Sequence, residues 1–320
     1  MTEKTEAGRT YFEIALSALE IGSVLTFDLW IQHNAKRPVL YRKRELPFAE
    51  EQRERLRSSG IDTLLVSFED AATCKLYLEQ HLAKRLSDPK LSSEERMKLF
   101  TDSARSTMQD VLGDPLADDV EQRVDTLTES LCDLISGPKA LHTAIAMMEH
   151  DYYTYTHSLH VAIYCVALAR AAGVSNEARI ADIGRGALMH DAGKCRLPAE
   201  LLNKTGTLTQ EEWRLMQSHP EEGLRILKDS GWTNPVVLDM CLNHHERLDG
   251  TGYPNALSGE QISFESRINA ICDAYDAMTT DRAYQGAMRG IDALRCIRSD
   301  GAKKYDQELV EIFIRALLMK

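Results

Sequence analysis

Histidine and aspartate side chains that are neighbours within apolar segments are the residues of this chain most suited to chemistry. Six of the ten histidines fall within one stretch in the middle of the chain. His190-Asp191 ends an apolar segment, His244-His245 begins the segment HHERLDGTGYP, and Asp273 lies within RINAICDAYDAM. A buried carboxylate or imidazole without a partner is costly, so such groups are normally paired or bound to metal. Imidazole and carboxylate without thiolate suit a first-row divalent metal such as Fe, Mn or Zn.

The number of these ligands indicates two metal ions. Seven candidates are too many for one four- to six-coordinate ion, but two ions that share a bridging carboxylate and a bridging water accommodate them. Two cations about 3.5–4 Å apart clamp the attacking and leaving oxygens of a phosphoryl displacement and convert the shared water to hydroxide at neutral pH. Spacing alone leaves open the alternative of core histidines that are satisfied by hydrogen bonds. The candidates are His157, His190, Asp191, His219, His244, His245 and Asp273.

Four segments together resemble the HD-GYP subfamily of HD-domain phosphohydrolases. They are HDAGK, the pair His219-Pro220, HHERLDGTGYP and RINAICDAYDAMTTDRAY, in an order and spacing typical of that subfamily. The resemblance runs from about Tyr153 to Phe313, half of the chain. It implies an all-α fold, hydrolysis of the bacterial second messenger cyclic di-GMP to pGpG or GMP, and a di- or tri-metal site with iron or manganese.

The resemblance assigns metal roles to the candidate ligands. The first metal would be held by His157, His190, Asp191 and Asp273. Asp191 would also bridge to the second metal, whose remaining ligands would be His219, His244 and His245. Tyr153 stands where three-metal members have a glutamate, so we expect a two-metal site.

The resemblance also implies residues that act on the substrate. Lys194 matches a lysine that contacts the scissile phosphate, where an ammonium group stabilises negative charge in the transition state. The expected pocket residues are Arg282, Arg267, Asp276, Gly252, Tyr253 and Pro254. Gly252 would give the backbone freedom to turn beside a ligand. Gln285 replaces a residue that is often basic in the family, and we expect its loss of charge to weaken nucleotide binding.

Other residues near these motifs are given structural roles. Glu246 and Asp249 are expected to brace the loop that carries the GYP element. For His160 we favour a surface or packing role over a role behind the metal ligands. Trp213 and Trp232 are expected to be core or cap aromatics and not platforms for stacking bases.

Helical patterns must position the motifs from residue 139 onward. Ser175 and Thr209 are expected N-caps, and Glu212 completes a capping box with Thr209. Residues 137–320 are therefore predicted to form an all-α catalytic domain. The chain as a whole is predicted to be mainly α, with this C-terminal bundle preceded by a small α+β domain.

The N-terminal part has shorter, β-prone segments. Residues 1–88 are predicted to form an α+β regulatory or interaction domain. Two amphipathic helices over 92–112 and 118–135 make a helical connector, residues 89–136, which either packs on the following domain or acts as a short dimerising element. The predicted strands are Tyr11–Leu16, Val24–Trp30, Pro38–Arg44 and Asp62–Phe68, and the predicted helices are Phe48–Ser58 and Ala71–Leu86.

Composition excludes several classes of protein. The net charge is −11, with both halves of the chain acidic, so binding of long nucleic acids is improbable. The seven scattered cysteines contain no CxxC pair, which disfavours a disulfide framework or zinc ribbon and fits the cytoplasm. No apolar run reaches the roughly 18–20 residues of a membrane span, and the first residues do not resemble an export signal.

These observations predict a metal-dependent cyclic di-GMP phosphodiesterase that uses two divalent metal ions, iron or manganese, and a bridging hydroxide. The alternative from another class is a catalytically weak cyclic di-GMP receptor, or a module that docks a diguanylate cyclase (GGDEF) domain through the GYP loop. A further option is an HD hydrolase that acts on another nucleotide. A homodimer is also compatible with the helical connector.

Overall fold

The computed structural model describes residues 4–6, 9–32, 37–135, 154–280, 287–299 and 303–318. The chain divides between residues 107 and 108 into two compact units. It is mainly α-helical, with one small sheet near the N-terminus, so the predicted fold class is confirmed. The three-part division at residues 88 and 136 stays a prediction.

The first unit contains a five-stranded antiparallel sheet with the order β1-β2-β5-β3-β4. Strand β5 lies in the middle of the sheet, and its residues from Leu64 to Ser67 are all buried, as expected of a strand covered on both faces. The strands are β1 Lys4–Glu6, β2 Arg9–Ala15, β3 Leu29–Ile31, β4 Val39–Arg42 and β5 Thr63–Ser67. Strand β1 was not predicted because its sequence KTE has no apolar pattern.

Two helices of the first unit begin and end close to their predicted positions. They are α1 Glu50–Ser58 and α2 Ala71–Leu86. Phe48, Leu56 and Tyr77 join the apolar residues of the sheet in one buried cluster. The core of this unit is therefore built from the sheet and both helices.

The second unit is built from helices. Helix α3 crosses the division between the units, and the others follow it. The helices are α3 Ser93–Gly113, α4 Val120–Leu134, α5 Thr154–Ala171, α6 Glu177–Met189, α7 Ala199–Leu202, α8 Gln210–Met216, α9 His219–Asp229, α10 Pro235–Asn243, α11 Phe264–Thr279, α12 Gly290–Ser299 and α13 Gln307–Leu318. Helix α5 packs against α6, α11 and α13. Its described side chains are buried almost throughout, which marks it as the centre of the unit.

Local sequence signals explain several helix boundaries. Thr209 caps α8 in the predicted capping box with Glu212. The prediction for α6 was wrong by one residue, because the N-cap is Asn176, whose side chain accepts from the Arg179 amide, and not Ser175. Helix α4 packs on α6, where Arg185 pairs with Asp125 at 2.5 Å. Packing on the following helices is therefore confirmed for the second connector helix, and the dimerising role stays a prediction.

Within the described part of the chain, every helix is too short or too polar to cross a lipid bilayer.

Candidate metal centre

The candidate ligands lie mostly at helix ends. His190 and Asp191 directly follow α6, and His244 and His245 directly follow α10. His219 is the first residue of α9. Asp273 and His157 lie inside α11 and α5, respectively. Because the C-terminal end of a helix carries partial negative charge, the ends of α6 and α10 favour cations beside these ligands.

Three histidines each make the same kind of hydrogen bond to the backbone, and this bond fixes the tautomer of each ring. The Nδ1 atoms of His190, His219 and His244 donate to the carbonyl oxygens three residues earlier, at 2.7, 2.7 and 2.9 Å. These carbonyls belong to final helical turns, where backbone acceptors lack intrahelical partners. A carbonyl can only accept, so Nδ1 carries a proton, and in the neutral imidazole Nε2 then keeps its lone pair. The local fold therefore presents three Nε2 atoms as ligands.

The Asp191 carboxylate spans two groups of histidines. Its Oδ1 lies 3.3 Å from His219 Nε2 and 3.9 Å from His244 Nε2. Its Oδ2 lies 3.4 Å from His190 Nε2 and 3.7 Å from His157 Nε2. Neighbouring ligands of one ion lie about 3.0–3.4 Å apart when each bond is about 2.1 Å. The carboxylate thus has the placement of a bridge between two ions.

Asp273 makes a second link between the two groups. Its Oδ1 lies 3.2 Å from His157 Nε2, and its Oδ2 lies 3.7 Å from His245 Nδ1. The donor atoms form two compact sets, one from His157, His190 and Asp191 and the other from His219, His244 and His245, each within 4.8 Å. All seven predicted ligands are therefore brought together.

The electrostatics of this cluster prepare it for cations. Burial alone would raise the pKa of Asp191, but the Lys194 ammonium and the His190 imidazole outweigh burial and hold it well below its usual value. Burial likewise opposes the ionisation of Asp273, but the neighbouring His157 imidazole outweighs burial and keeps the pKa of Asp273 well below its usual value. Burial lowers the pKa values of His244 and His245. The carboxylates are therefore ionised and those two imidazoles neutral, the states that bind metal.

Two contacts show that the site fits metal ions. His219 Nε2 and His244 Nε2 lie 3.2 Å apart, and in the neutral tautomer with the proton on Nδ1 neither Nε2 can donate to the other. His190 Nε2 is buried and has no hydrogen-bond partner among the described residues. A cation between these lone pairs satisfies them, whereas core histidines satisfied by hydrogen bonds would not have this arrangement. The donor set is nitrogen and oxygen, which suits divalent first-row metals.

A cleft of about 790 Å³ opens beside this cluster. Lys194 lines it, and the Lys194 Nζ lies 2.5 Å from Asp191 Oδ2. Asp273, His219 and His245 also face the cleft. A substrate that enters the cleft therefore meets the candidate ligands and the ammonium group together.

Asp276 was predicted to line the substrate pocket, and the structure places it elsewhere. Asp276 is 1% exposed, and its carboxylate is hydrogen-bonded to two histidines. Oδ2 accepts from His157 Nδ1 at 2.6 Å and Oδ1 from His160 Nδ1 at 3.0 Å. Asp276 therefore orients the imidazole of His157, and His160 belongs to the same buried network. Of the favoured surface or packing role for His160, the surface part was wrong, because this residue is buried and hydrogen-bonded to Asp276. Its spacing of three residues from His157, matched by that between Asp273 and Asp276, was the available signal.

Arg267 was also predicted to line the pocket, but it is not among the described residues that line the cleft. Its guanidinium donates to the carbonyls of Ile262 and Gly259 and pairs with Asp306 at 3.3 Å. These contacts hold the segment before α11 against the chain before α13. Arg267 is therefore a structural brace.

The loop with the GYP element is held by Glu246, as predicted. Its carboxylate accepts from the backbone amides of Asn255 and Leu257 at 2.7 and 3.0 Å. Asp249 braces the loop through Thr251. Gly252 is required for close approach and not for conformational freedom, since a Cβ would lie 2.4 Å from the Glu246 Cα.

The loop contributes two of its three predicted residues to the cleft. Gly252 and Tyr253 line it, whereas Pro254, in the described structure, does not. Arg282, Gln285 and Tyr153 lie outside the described residues.

Trp213 differs from its prediction. Trp232 is buried in the core, as expected, but Trp213 is 47% exposed and lines the cleft. Arg247 and Lys304 also line it. No sequence signal indicated these three residues, because their positions depend on how α8 and the loops pack.

Comparison with known proteins agrees with this geometry. The family model described as "HD domain" matches residues 116–309. A cyclic di-GMP phosphodiesterase of Pseudomonas aeruginosa is 37% identical over 199 residues, which cover 62% of this chain and 48% of that protein. A 3′3′-cGAMP-specific phosphodiesterase of Vibrio cholerae is 34% identical over 162 residues, which cover 50% of this chain and 31% of that protein. The chain therefore spans less than half the length of these relatives.

A solved structure supports the fold. It is an HDG"Y"P protein from Bdellovibrio bacteriovorus, with a TM-score of 0.68 and 20% identity. The alignment covers 95% of this chain and 98% of that protein.

Proposed function

Because the chain belongs to the HD-domain family, we propose that it is a metal-dependent phosphodiesterase that hydrolyses cyclic di-GMP to pGpG or GMP. The observation that carries the proposal is the placement of Asp191, with one carboxylate oxygen facing each group of histidines. The name of the P. aeruginosa relative supports cyclic di-GMP as the substrate.

The ligand sets proposed from the sequence follow the two groups. His157, His190, Asp191 and Asp273 would hold one ion, and His219, His244, His245 and the second oxygen of Asp191 would hold the other. Two divalent cations bound there supply Lewis-acid charge and lower the pKa of water. Iron or manganese fits the nitrogen and oxygen donors, and these metals are our proposal for the native ions.

Residues of the chain itself orient and neutralise the substrate. The Lys194 ammonium faces the cleft beside Asp191, where it can donate to a non-bridging phosphate oxygen and stabilise the charge that develops in the transition state. Asp276 keeps the Nε2 of His157 directed at the centre by holding its Nδ1 proton. Burial of the ligands excludes bulk water from one side of the reacting group.

Turnover of cyclic di-GMP by the whole chain tests the proposal. The protein is purified without oxygen, loaded with Fe²⁺ or Mn²⁺, and its products are separated by chromatography. Asp191→Ala should lose both metals by elemental analysis and all activity. Lys194→Ala should keep its metals and lose about 10²–10³-fold in kcat, whereas the exposed Lys228→Ala should match the wild type.

The same assay separates the alternatives. Cyclic di-GMP that binds without forming product at any metal ratio would establish a receptor; the complete ligand set and the position of Lys194 favour turnover. The Vibrio relative named for 3′3′-cGAMP makes that dinucleotide the second candidate substrate. A kcat/KM for 3′3′-cGAMP higher than for cyclic di-GMP would move the substrate assignment to it.

Partners and location stay predictions. A diguanylate cyclase domain that docks on residues 250–254 would be detected by co-purification, and a loop variant should abolish it. Light scattering tests the homodimer. The free state of all seven cysteines is consistent with the predicted cytoplasmic location.

A further inference from the structure

The indole of Trp213 is a large apolar group exposed on the wall of the cleft. It is 47% exposed and lines the cleft together with Lys194 and Tyr253. Leu215, two residues along the same helix, is 43% exposed but does not line the cleft in the described structure. Trp213 is therefore exposed to the cleft, the space that a substrate would occupy.

The helix that carries Trp213 is fixed at its beginning. Helix α8 has only seven residues, too few to be stable alone. The Thr209 hydroxyl accepts from the Glu212 amide at 3.2 Å, and the Glu212 carboxylate accepts from the Thr209 amide at 2.7 Å. Lys204 Nζ donates to both carboxylate oxygens of Glu212 at 2.8 and 2.6 Å. These contacts position the indole before any ligand binds.

Aromatic rings connect Trp213 to the metal centre. The His245 and Tyr253 rings lie 4.7 Å apart at an angle of 32°, and the Tyr253 and Trp213 rings lie 6.2 Å apart at 79°. Two ring contacts thus connect a candidate metal ligand to the indole through Tyr253.

We propose that Trp213 is a stacking platform for a purine base of the cyclic dinucleotide whose phosphate lies at the metal centre. The proposal rests on the proposed function and adds the residue that selects a nucleotide over a simple phosphodiester. Indole and purine are both flat bicyclic rings, and stacking of a base on an aromatic side chain is favourable. Arg247 and Lys304 in the same cleft suit an anionic nucleotide and not a neutral aromatic ligand.

Three substitutions in α8 test the proposal in the metal-loaded chain of 320 residues. Trp213→Ala should raise both the Kd for cyclic di-GMP, by calorimetry, and the KM by about 5- to 150-fold. Trp213→Phe, which keeps a smaller ring, should lose less. Leu215→Ala is the matched control and should bind and turn over cyclic di-GMP within about twofold of the wild type, as expected of a surface change. The Trp213→Ala effect should be smaller with cyclic di-UMP, whose pyrimidines stack less strongly.

The outcomes distinguish this proposal from the proposed function. If Trp213→Ala binds and turns over cyclic di-GMP as well as Leu215→Ala does, the stacking role is wrong and the proposed phosphodiesterase activity stands. If the Kd for cyclic di-GMP depends on Trp213 but no product forms, stacking is supported and hydrolysis is refuted. A wild type that neither binds nor hydrolyses the dinucleotide overturns both. Equal losses for Trp213→Ala and Trp213→Phe, with a lowered melting temperature, would show a structural role and also overturn the proposal.

Discussion

Asp276 offers the sharpest test of how the metal centre is held. Asp276→Asn keeps the shape of the side chain but replaces one acceptor oxygen with an amide donor. The two imidazoles that now donate at 2.6 and 3.0 Å cannot both be satisfied, so one charge-assisted hydrogen bond is lost. Such a bond contributes about 1.5–3 kcal/mol. If the weakened contact releases His157, this energy appears as a loss of metal affinity of about 10- to 100-fold.

Metal affinity is measured by competition with a chelator, together with kcat on cyclic di-GMP. Glu265→Gln is the matched control, because Glu265 is also a buried carboxylate on α11 that pairs with Arg179 at 2.6 Å, in the first turn of the helix. It should lower stability without lowering metal affinity. The reasoning is refuted if Asp276→Asn binds metal as tightly as the wild type, or if Glu265→Gln weakens metal binding equally.

Three further changes test the geometry of the site. In Gly193→Ala, the added Cβ would lie 1.9 Å from the His219 carbonyl oxygen, so elemental analysis should show loss of metal. Gly113→Ala is the control and should keep its metal, because the space around its Cβ position is open. Glu246→Gln should lower the free energy of unfolding by about 1.5–3 kcal/mol in denaturant titrations, because it loses one of its two backbone partners; an unchanged midpoint would contradict the brace. Removal of metal should lower Tm by about 8–16 °C for each of the two sites, relative to protein with metal at about 1,000 times Kd. Asp191→Ala should show no such shift in calorimetry.

Much of the metal centre was predictable because its ligands come in local patterns. Adjacent His-Asp and His-His pairs after apolar helices restrict the chemistry to a few choices, and helix ends supply carbonyls that fix the ring tautomers. The capping box at Thr209 is equally local, since all its atoms lie within four residues. Features of this kind depend on neighbours in the chain and can be inferred without a fold.

The substrate side of the site was predicted less well, for a physical reason. Asp276 contacts His157 across 119 residues of sequence, and Arg267 pairs with Asp306 across 39. Whether a polar residue faces a cleft or a neighbouring side chain depends on which helices pack together. Position in a motif does not contain that information.

The sequence by itself determined the donor types, the helical segments that carry them and the mainly α fold, because composition, periodicity and capping act over a few residues. For Asp191, which the family resemblance assigned as a bridge, tertiary structure decided that one oxygen faces each group of histidines. Tertiary structure alone decided that Asp276 lies behind His157 and that Trp213 faces the cleft. These facts arise from the packing of helices that are distant in sequence. If one helix were rotated by the angle between two successive residues, a buried side chain would be exchanged for an exposed one.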